Sequence, residues 1–177
     1  MAVFMSGVAG LVEIRNLAIH VANCNICSGI EAINSQLSVE DVSVTGAFNI
    51  GVEVSGGTAT IHGLTASGAG SEGLLIHDAT VTISDSIFQN SAAGIAVAGV
   101  SAAAQALIER TKFRSNTTGL QVINAGHAAL ARISDCVITA NATGVETFGG
   151  GQIITFRNNT WAGNSTDGST PFSISLK

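Results

Sequence analysis

Ile108-Glu-Arg-Thr-Lys-Phe113 and Ile133-Ser-Asp-Cys-Val-Ile138 decide how this sequence folds. Each opens and closes on an apolar residue. The same outline recurs in Ile14-Arg-Asn-Leu-Ala-Ile19, Val39-Glu-Asp-Val-Ser-Val44, Ile61-His-Gly-Leu-Thr-Ala66, Ile83-Ser-Asp-Ser-Ile-Phe88 and Phe156-Arg-Asn-Asn-Thr-Trp161. The seven copies stand 22 to 25 residues apart. Self-similarity at such a period marks a repeat architecture, in which a unit buries its apolar face only against its neighbours.

A second register runs beside the first. A glycine opens a short alternating strand in Gly29-Ile-Glu-Ala, Gly51-Val-Glu-Val, Gly73-Leu-Leu-Ile, Gly94-Ile-Ala-Val, Gly119-Leu-Gln-Val and Gly144-Val-Glu-Thr, and Gly168 takes the seventh glycine position. Apolar residues alternate with a period of two, the strand period. Each repeat holds about three short strands and has no room for a strand-helix crossover, so successive coils must stack in parallel. The fold class is all-β: a single-stranded parallel β-solenoid of about seven coils of 21–25 residues. At a strand spacing of ~4.8 Å the rod is about 34 Å long. It forms one domain over residues 1–177, with a lead-in at 1–10, coils at 11–168 and a C-terminal lid at 169–177.

The inward columns follow from the alignment. One is Val12, Leu37, Ala59, Val81, Ala106, Ala131 and Ile154; the first and last residues of each copy supply two more; Ile30, Val52, Leu74, Ile95, Leu120 and Val145 supply a fourth. Two polar columns need partners, because an unpaired buried polar group costs roughly 1 to 3 kcal/mol. Asn90, Asn116, Asn141 and Asn164 lie three or four residues before a glycine and read as a structural asparagine ladder, each amide donating and accepting along the stack. Asn16, Asp41, Asp85, Asp135 and Asn158 stand at the corner after the first strand, where such side chains cap turns. Gly63 and Arg110 interrupt that column, which favours turn chemistry over calcium.

Charged residues make up only 11% of the chain, against roughly 25% in ordinary soluble domains. A net charge of -5 with seven Lys and Arg argues against nucleic acid as partner. Polar residues interrupt every apolar stretch well short of the ~20 residues of a spanning helix, so no membrane span is expected. The start has no basic region ahead of its apolar residues, so no secretion signal is read, and the compartment stays open.

The recurring Ile-x-Asp/Asn-x-x-Ile/Phe, the Asn-x-x-Gly-Ile/Leu/Val element and the closing run from Gly149 to Gly168 resemble bacterial right-handed parallel β-helix repeat proteins, related in fold to pectate lyases. The resemblance covers nearly the whole chain from Gly10. It implies a right-handed solenoid, and relatives with a signal and further coils ahead of the region matching Ile14, so the chain reads as N-terminally shortened. It fixes chemistry poorly, since the architecture hosts lyases, hydrolases, adhesins and members of unknown role.

Polysaccharide cleavage on such a fold needs acids or bases projecting together from adjacent coils. Glu31 and Glu53 come nearest, with no evident partner. Cys24-Asn-Ile-Cys27 lies in the longer turn of the first coil near His20; with Cys136 five coils away a zinc site lacks ligands, and ordinary reduced turn thiols are favoured over a metal site or a redox dithiol. His62, His77 and His127 have no Ser, Cys or acid at a catalytic spacing and read as surface or turn residues.

The most uneven feature is Arg110, Lys112, Arg114 and Arg132, four of the seven basic residues within about one coil, where an acidic glycan or a protein could dock. A solvated face that deters edge pairing is the competing reading. Thr60, Thr82 and Thr155 share an outward column, a remote sign of ice binding broken by Leu107 and Arg132.

The sequence therefore favours a non-catalytic binding or assembly solenoid with a carbohydrate or protein ligand over a polysaccharide lyase, hydrolase or remnant of one. It calls for no cofactor and no metal. It leaves the N-terminal coil thinly covered, so a second copy or a longer native chain is expected there.

Overall fold

The structure, a computed structural model, describes residues 3–21, 24, 26–156, 158–169 and 172–174. Its described strands are, in order, β1 (Val3–Ser6), β2 (Leu11–Arg15), β3 (Ala18–Val21), β4 (Ser28–Glu40), β5 (Ser43–His62), β6 (Thr65–His77), β7 (Thr80–Ser84), β8 (Ile87–Gln89), β9 (Ala93–Gly99), β10 (Ala104–Glu109), β11 (Lys112–Arg114), β12 (Thr118–Asn124), β13 (Ala129–Ser134), β14 (Val137–Thr139), β15 (Thr143–Phe148), β16 (Gln152–Phe156), β17 (Thr160–Ala162), β18 (Thr166–Gly168) and β19 (Phe172–Ile174). Every pairing is parallel. No helix among the described residues is long and apolar enough to cross a membrane.

Three parallel ladders wind around one core. Ladder A takes β2, the ends of β4 and β5, then β7, β10, β13, β16 and β19. Ladder B takes β3, the starts of β5 and β6, then β8, β11, β14 and β17. Ladder C takes β1, the start of β4, the middle of β5, the end of β6, then β9, β12, β15 and β18. About seven coils result, with β1 and β19 adding a rung at either end. Between them run columns of fully buried side chains such as Ile61, Ile83, Ile108 and Ile133, and Phe88 stacks on Phe113 with ring centroids 6.0 Å apart.

The corner from A to B shows why polar residues recur there. Asn16, Asp41, Asp85, Arg110 and Asp135 all take a left-handed backbone with φ between 46° and 53°, and Gly63 takes φ 65° in the same column. That conformation suits Asn, Asp and Gly, which accounts for the glycine and leaves Arg110 as the residue held against its preference.

Several registers differ from the sequence expectation by one residue. Ser91, not Asn90, sits in the row with Asn116, Asn141 and Asn164, because Gln89 pairs with Arg114. Asn90 falls instead in the left-handed position shared by Ser115 and Ala140; asparagine suits both places, so spacing alone cannot separate them. In the last coil Ile153 pairs with Ala131 and Thr155 with Ile133, so Ile154 points outward and Thr155 inward. Gly168 pairs with Val145, which places Asp167 where the glycine was expected.

The ends also differ. Within the expected lead-in, β1 is a strand that pairs with β4 and sends Met5 into the core. Of the expected lid, Phe172–Ile174 pairs with β16 and lengthens ladder A; Pro171 and residues 175–177 lie outside the described residues.

Candidate functional site

Ladder B carries the most distinctive surface. Its two outward columns are Ala18, Ser43, Thr65, Ile87, Lys112, Val137 and Thr160, and His20, Thr45, Ser67, Gln89, Arg114, Thr139 and Ala162. Neither column contains an acid, although the chain has twelve. Lys112 and Arg114 project side by side because Phe113 between them is fully buried. Arg114 Nε donates to Gln89 Oε1 at 2.6 Å, which orients the guanidinium along the face.

Ladder B borders a shallow concavity of about 680 Å³ at the bend toward ladder C. Asn90, Ser91, Ser115, Asn116 and Thr117 line it together with Ala69, Gly70, Ala92, Ala140 and Ala142. The lining spans four coils, about 14 Å along the rod at the strand spacing. Its small side chains expose hydroxyls, an amide and backbone, while the row beneath is tied together by hydrogen bonds. Asn116 Nδ2 donates to Asn141 Oδ1 at 3.1 Å, and Asn141 Nδ2 to Asn164 Oδ1 at 3.0 Å. Ser91 continues the row by donating its backbone N–H to Asn116 Oδ1.

The other two expected basic residues do not join this face. Arg110 stands at the A-to-B corner, where its Nε and Nη2 donate to the two oxygens of Asp85, each at 2.9 Å. The bonded guanidinium holds the Asp85 carboxyl below its ordinary range, and Asp85 in turn holds Arg110 charged. Arg132 lies on ladder A, between Leu107 and Ile154 in its outward column.

The histidines have closer partners than their spacing suggested. His77 Nδ1 lies 3.3 Å from Ser55 Oγ, and its Nε2 lies 3.7 Å from Asp78. His62 Nδ1 lies 3.0 Å from Ser84 Oγ and 3.4 Å from Asp85. Register across one coil brings His77 to Ser55 and His62 to Ser84 and Asp85, whereas Asp78 is simply the next residue after His77. Asp78 is already committed, since its Oδ1 accepts the N–H groups of Val100 and Ser101. Burial works to raise the Asp78 carboxyl, but those N–H groups, that of Ala102 and the His77 charge together take it below the ordinary value.

Acids gather on ladder C, where Glu31 pairs in register with Glu53. Burial, then the charges of Glu31 and Glu72, push the Glu53 carboxyl up, while His77 and a Ser28 hydrogen bond oppose them. Among the described residues no group of three or more His, Cys, Asp or Glu is arranged to hold a metal ion.

Residues 17–171 match the family described as right handed beta helix region. The chain belongs to that family. Among solved structures, the A-module of a mannuronan C-5 epimerase from Azotobacter vinelandii matches with a TM-score of 0.40 and 11% identity, over 94% of this chain and 58% of that one. The chain thus spans less than two thirds of the module it matches. No curated protein sequence matches it.

Two further features of this β-helix were not anticipated from sequence. Cys24 and Cys27 form a disulfide, which corrects the expectation of reduced turn thiols; their Cα atoms, 5.5 Å apart, are within bridging reach. One residue after the A-to-B corner, Ser86, Thr111 and Cys136 each donate a side-chain hydrogen to the carbonyl two residues back. Asn159 follows in the same position and accepts the Cys136 N–H. The aligned repeats contained this signal, since each of these residues directly follows the corner residue.

Proposed function

We propose that this β-helix is a non-catalytic binding module whose ladder B surface takes an anionic glycan chain. The supporting observation for binding is the acid-free face on which Lys112 and Arg114 stand exposed together. In a chain of net charge -5, that segregation gives one side an attraction for anions that the remaining surface opposes. The adjoining concavity offers hydroxyls and an amide over about 14 Å, suited to the hydroxyls of an extended chain. Its shallowness favours binding over chemistry, because catalysis needs reacting groups held in a water-excluding site.

Titration calorimetry with oligogalacturonate, and with a neutral glucan of equal length as control, tests the assignment. The acidic oligomer should bind, weaken as salt rises, and lose at least tenfold in affinity when Lys112 and Arg114 are both changed to Gln. Equal binding of the neutral oligomer, or full affinity in the double variant, would overturn it. A parallel absorbance assay for unsaturated products tests the non-catalytic part, since turnover would refute that part alone.

A further inference from the structure

On ladder A, the strands β10, β13 and β16 present two outward columns, Gln105, Leu130 and Gln152 beside Leu107, Arg132 and Ile154. Arg132 carries the only charge in these six positions and stands at their centre with apolar neighbours. Among the described residues Arg15 and Arg110 are bonded to acids of their own chain, whereas Arg132 takes part in no ion pair. Glu109, the next outward residue of β10, is engaged by Arg110. Beside Leu130 a cavity of about 210 Å³ opens at the start of the ladder. Ala103, Ala128 and Leu130 give it apolar walls, and the exposed Gln105 and Gln152 bring amides to it.

We propose that this face docks an extended segment of a partner protein, with an apolar side chain in the cavity and a carboxylate two residues along on Arg132. The site lies on another ladder from the glycan face and is independent of it. Leu130 and Arg132 are two residues apart, ~6.6 Å along the strand. In an extended chain, side chains two residues apart point to one side at the same repeat, so both anchors are met without bending it. Gln105 and Gln152 flank Leu130 at ~4.8 Å on either side. Each amide both donates and accepts, which suits the main-chain groups between the two anchors.

The guanidinium of Arg132 offers a carboxylate two parallel N–H bonds. Leu107, Leu130 and Ile154 exclude water around that pair, the setting in which an arginine contributes most to a protein interface. A sugar chain would satisfy the amides but leave the alanine and leucine walls of the cavity without an apolar group to bury, so the observations favour a peptide.

Calorimetric titration with acetyl-Thr-Thr-Leu-Thr-Glu-Thr-Thr-amide tests the site, with circular dichroism as the fold control. The peptide should bind. Glutamine in place of its glutamate, or Arg132→Gln in the protein, should each cost about tenfold or more in affinity. Moving the glutamate one residue further from the leucine should cost as much, because that spacing turns it away from the face. Arg132→Glu should reject this peptide and bind the one with lysine at the glutamate position. Because the peptide changes leave the protein untouched, they decide the matter even where a variant misfolds. Absence of binding at millimolar peptide, or equal binding of the glutamate and glutamine peptides, overturns the site. Displacement of the bound peptide by oligogalacturonate would assign this face to a glycan and overturn the partner class, whereas oligogalacturonate bound on ladder B should leave the peptide in place.

Discussion

Asn141 makes four hydrogen bonds from one side chain and shows how little the amide row tolerates loss. Its Oδ1 accepts the backbone N–H and the amide of Asn116, and its Nδ2 donates to the carbonyl of Phe113 and to Asn164. Asn141→Ala would strand several of these partners in a buried turn, and it should cost about 3 kcal/mol by urea denaturation. Asn90 has the same chemistry without the burial, with a single 3.3 Å bond to the Ser67 hydroxyl. Because it sits in a left-handed turn, Asn90→Gly should change stability by less than about 0.5 kcal/mol. Equal costs at the two sites would refute the placement of Ser91, not Asn90, in the row. Cys136 makes a second residue-scale prediction. Burial pushes its thiol up to about 11, against smaller opposing hydrogen bonds. A thiol reagent at pH 8 should therefore find no reactive thiol in the native chain and one after unfolding without reductant, since Cys24 and Cys27 are bonded to each other. Rapid labelling of the native protein would contradict this.

At the level of strands and turns, the glycine that stands second in ladder C strands β9 and β12 has a cause beyond backbone freedom. A Cβ on Gly119 would meet the carbonyl oxygen of Gly144 at 2.5 Å, and on Gly94 that of Gly119 at the same distance. The obstacle is main chain of the next coil, which cannot rotate away. Gly119→Ala should therefore destabilise by about 2 to 3 kcal/mol, in the range of core overpacking, read as a lowered urea midpoint; an unchanged midpoint would show that the coils can separate locally. The same closeness explains what the sequence could and could not reveal. In the central coils every inward position stays apolar and one column repeats the same residue, so Ile83, Ile108 and Ile133 could be aligned by inspection. The last coil offered Ile153 and Ile154 in succession, and a one-residue slip turns every side chain to the other face. β1 belongs to no complete repeat copy, and for that reason Val3–Ser6 read as a lead-in rather than a rung. The basic residues were legible as a cluster along the chain, but only the turn after Glu109 decides that Arg110 leaves for Asp85 while Lys112 and Arg114 share a ladder.

Across the whole molecule, charge is sorted by ladder, with cations free of acids on B and acids gathered on C. The cost of that arrangement should be visible at Glu53, which stands in register with Glu31 and near Glu72. Burial and these two charges raise its carboxyl above the ordinary range of a glutamate. An acid whose folded value is raised contributes its full stability below the unfolded value and loses it as pH rises through the folded one. The ionised Glu53 of neutral solution is thus a net burden on the fold, moderated by the water that reaches it. Glu53→Gln removes the burden without changing the shape. It should raise the melting temperature at pH 7 and leave it nearly unchanged at pH 4, where the wild-type carboxyl is largely protonated. An equal gain at both values would assign the effect to packing, and a loss at pH 7 would mean that the His77 charge outweighs the repulsion and that ladder C is held together by its acids rather than strained by them.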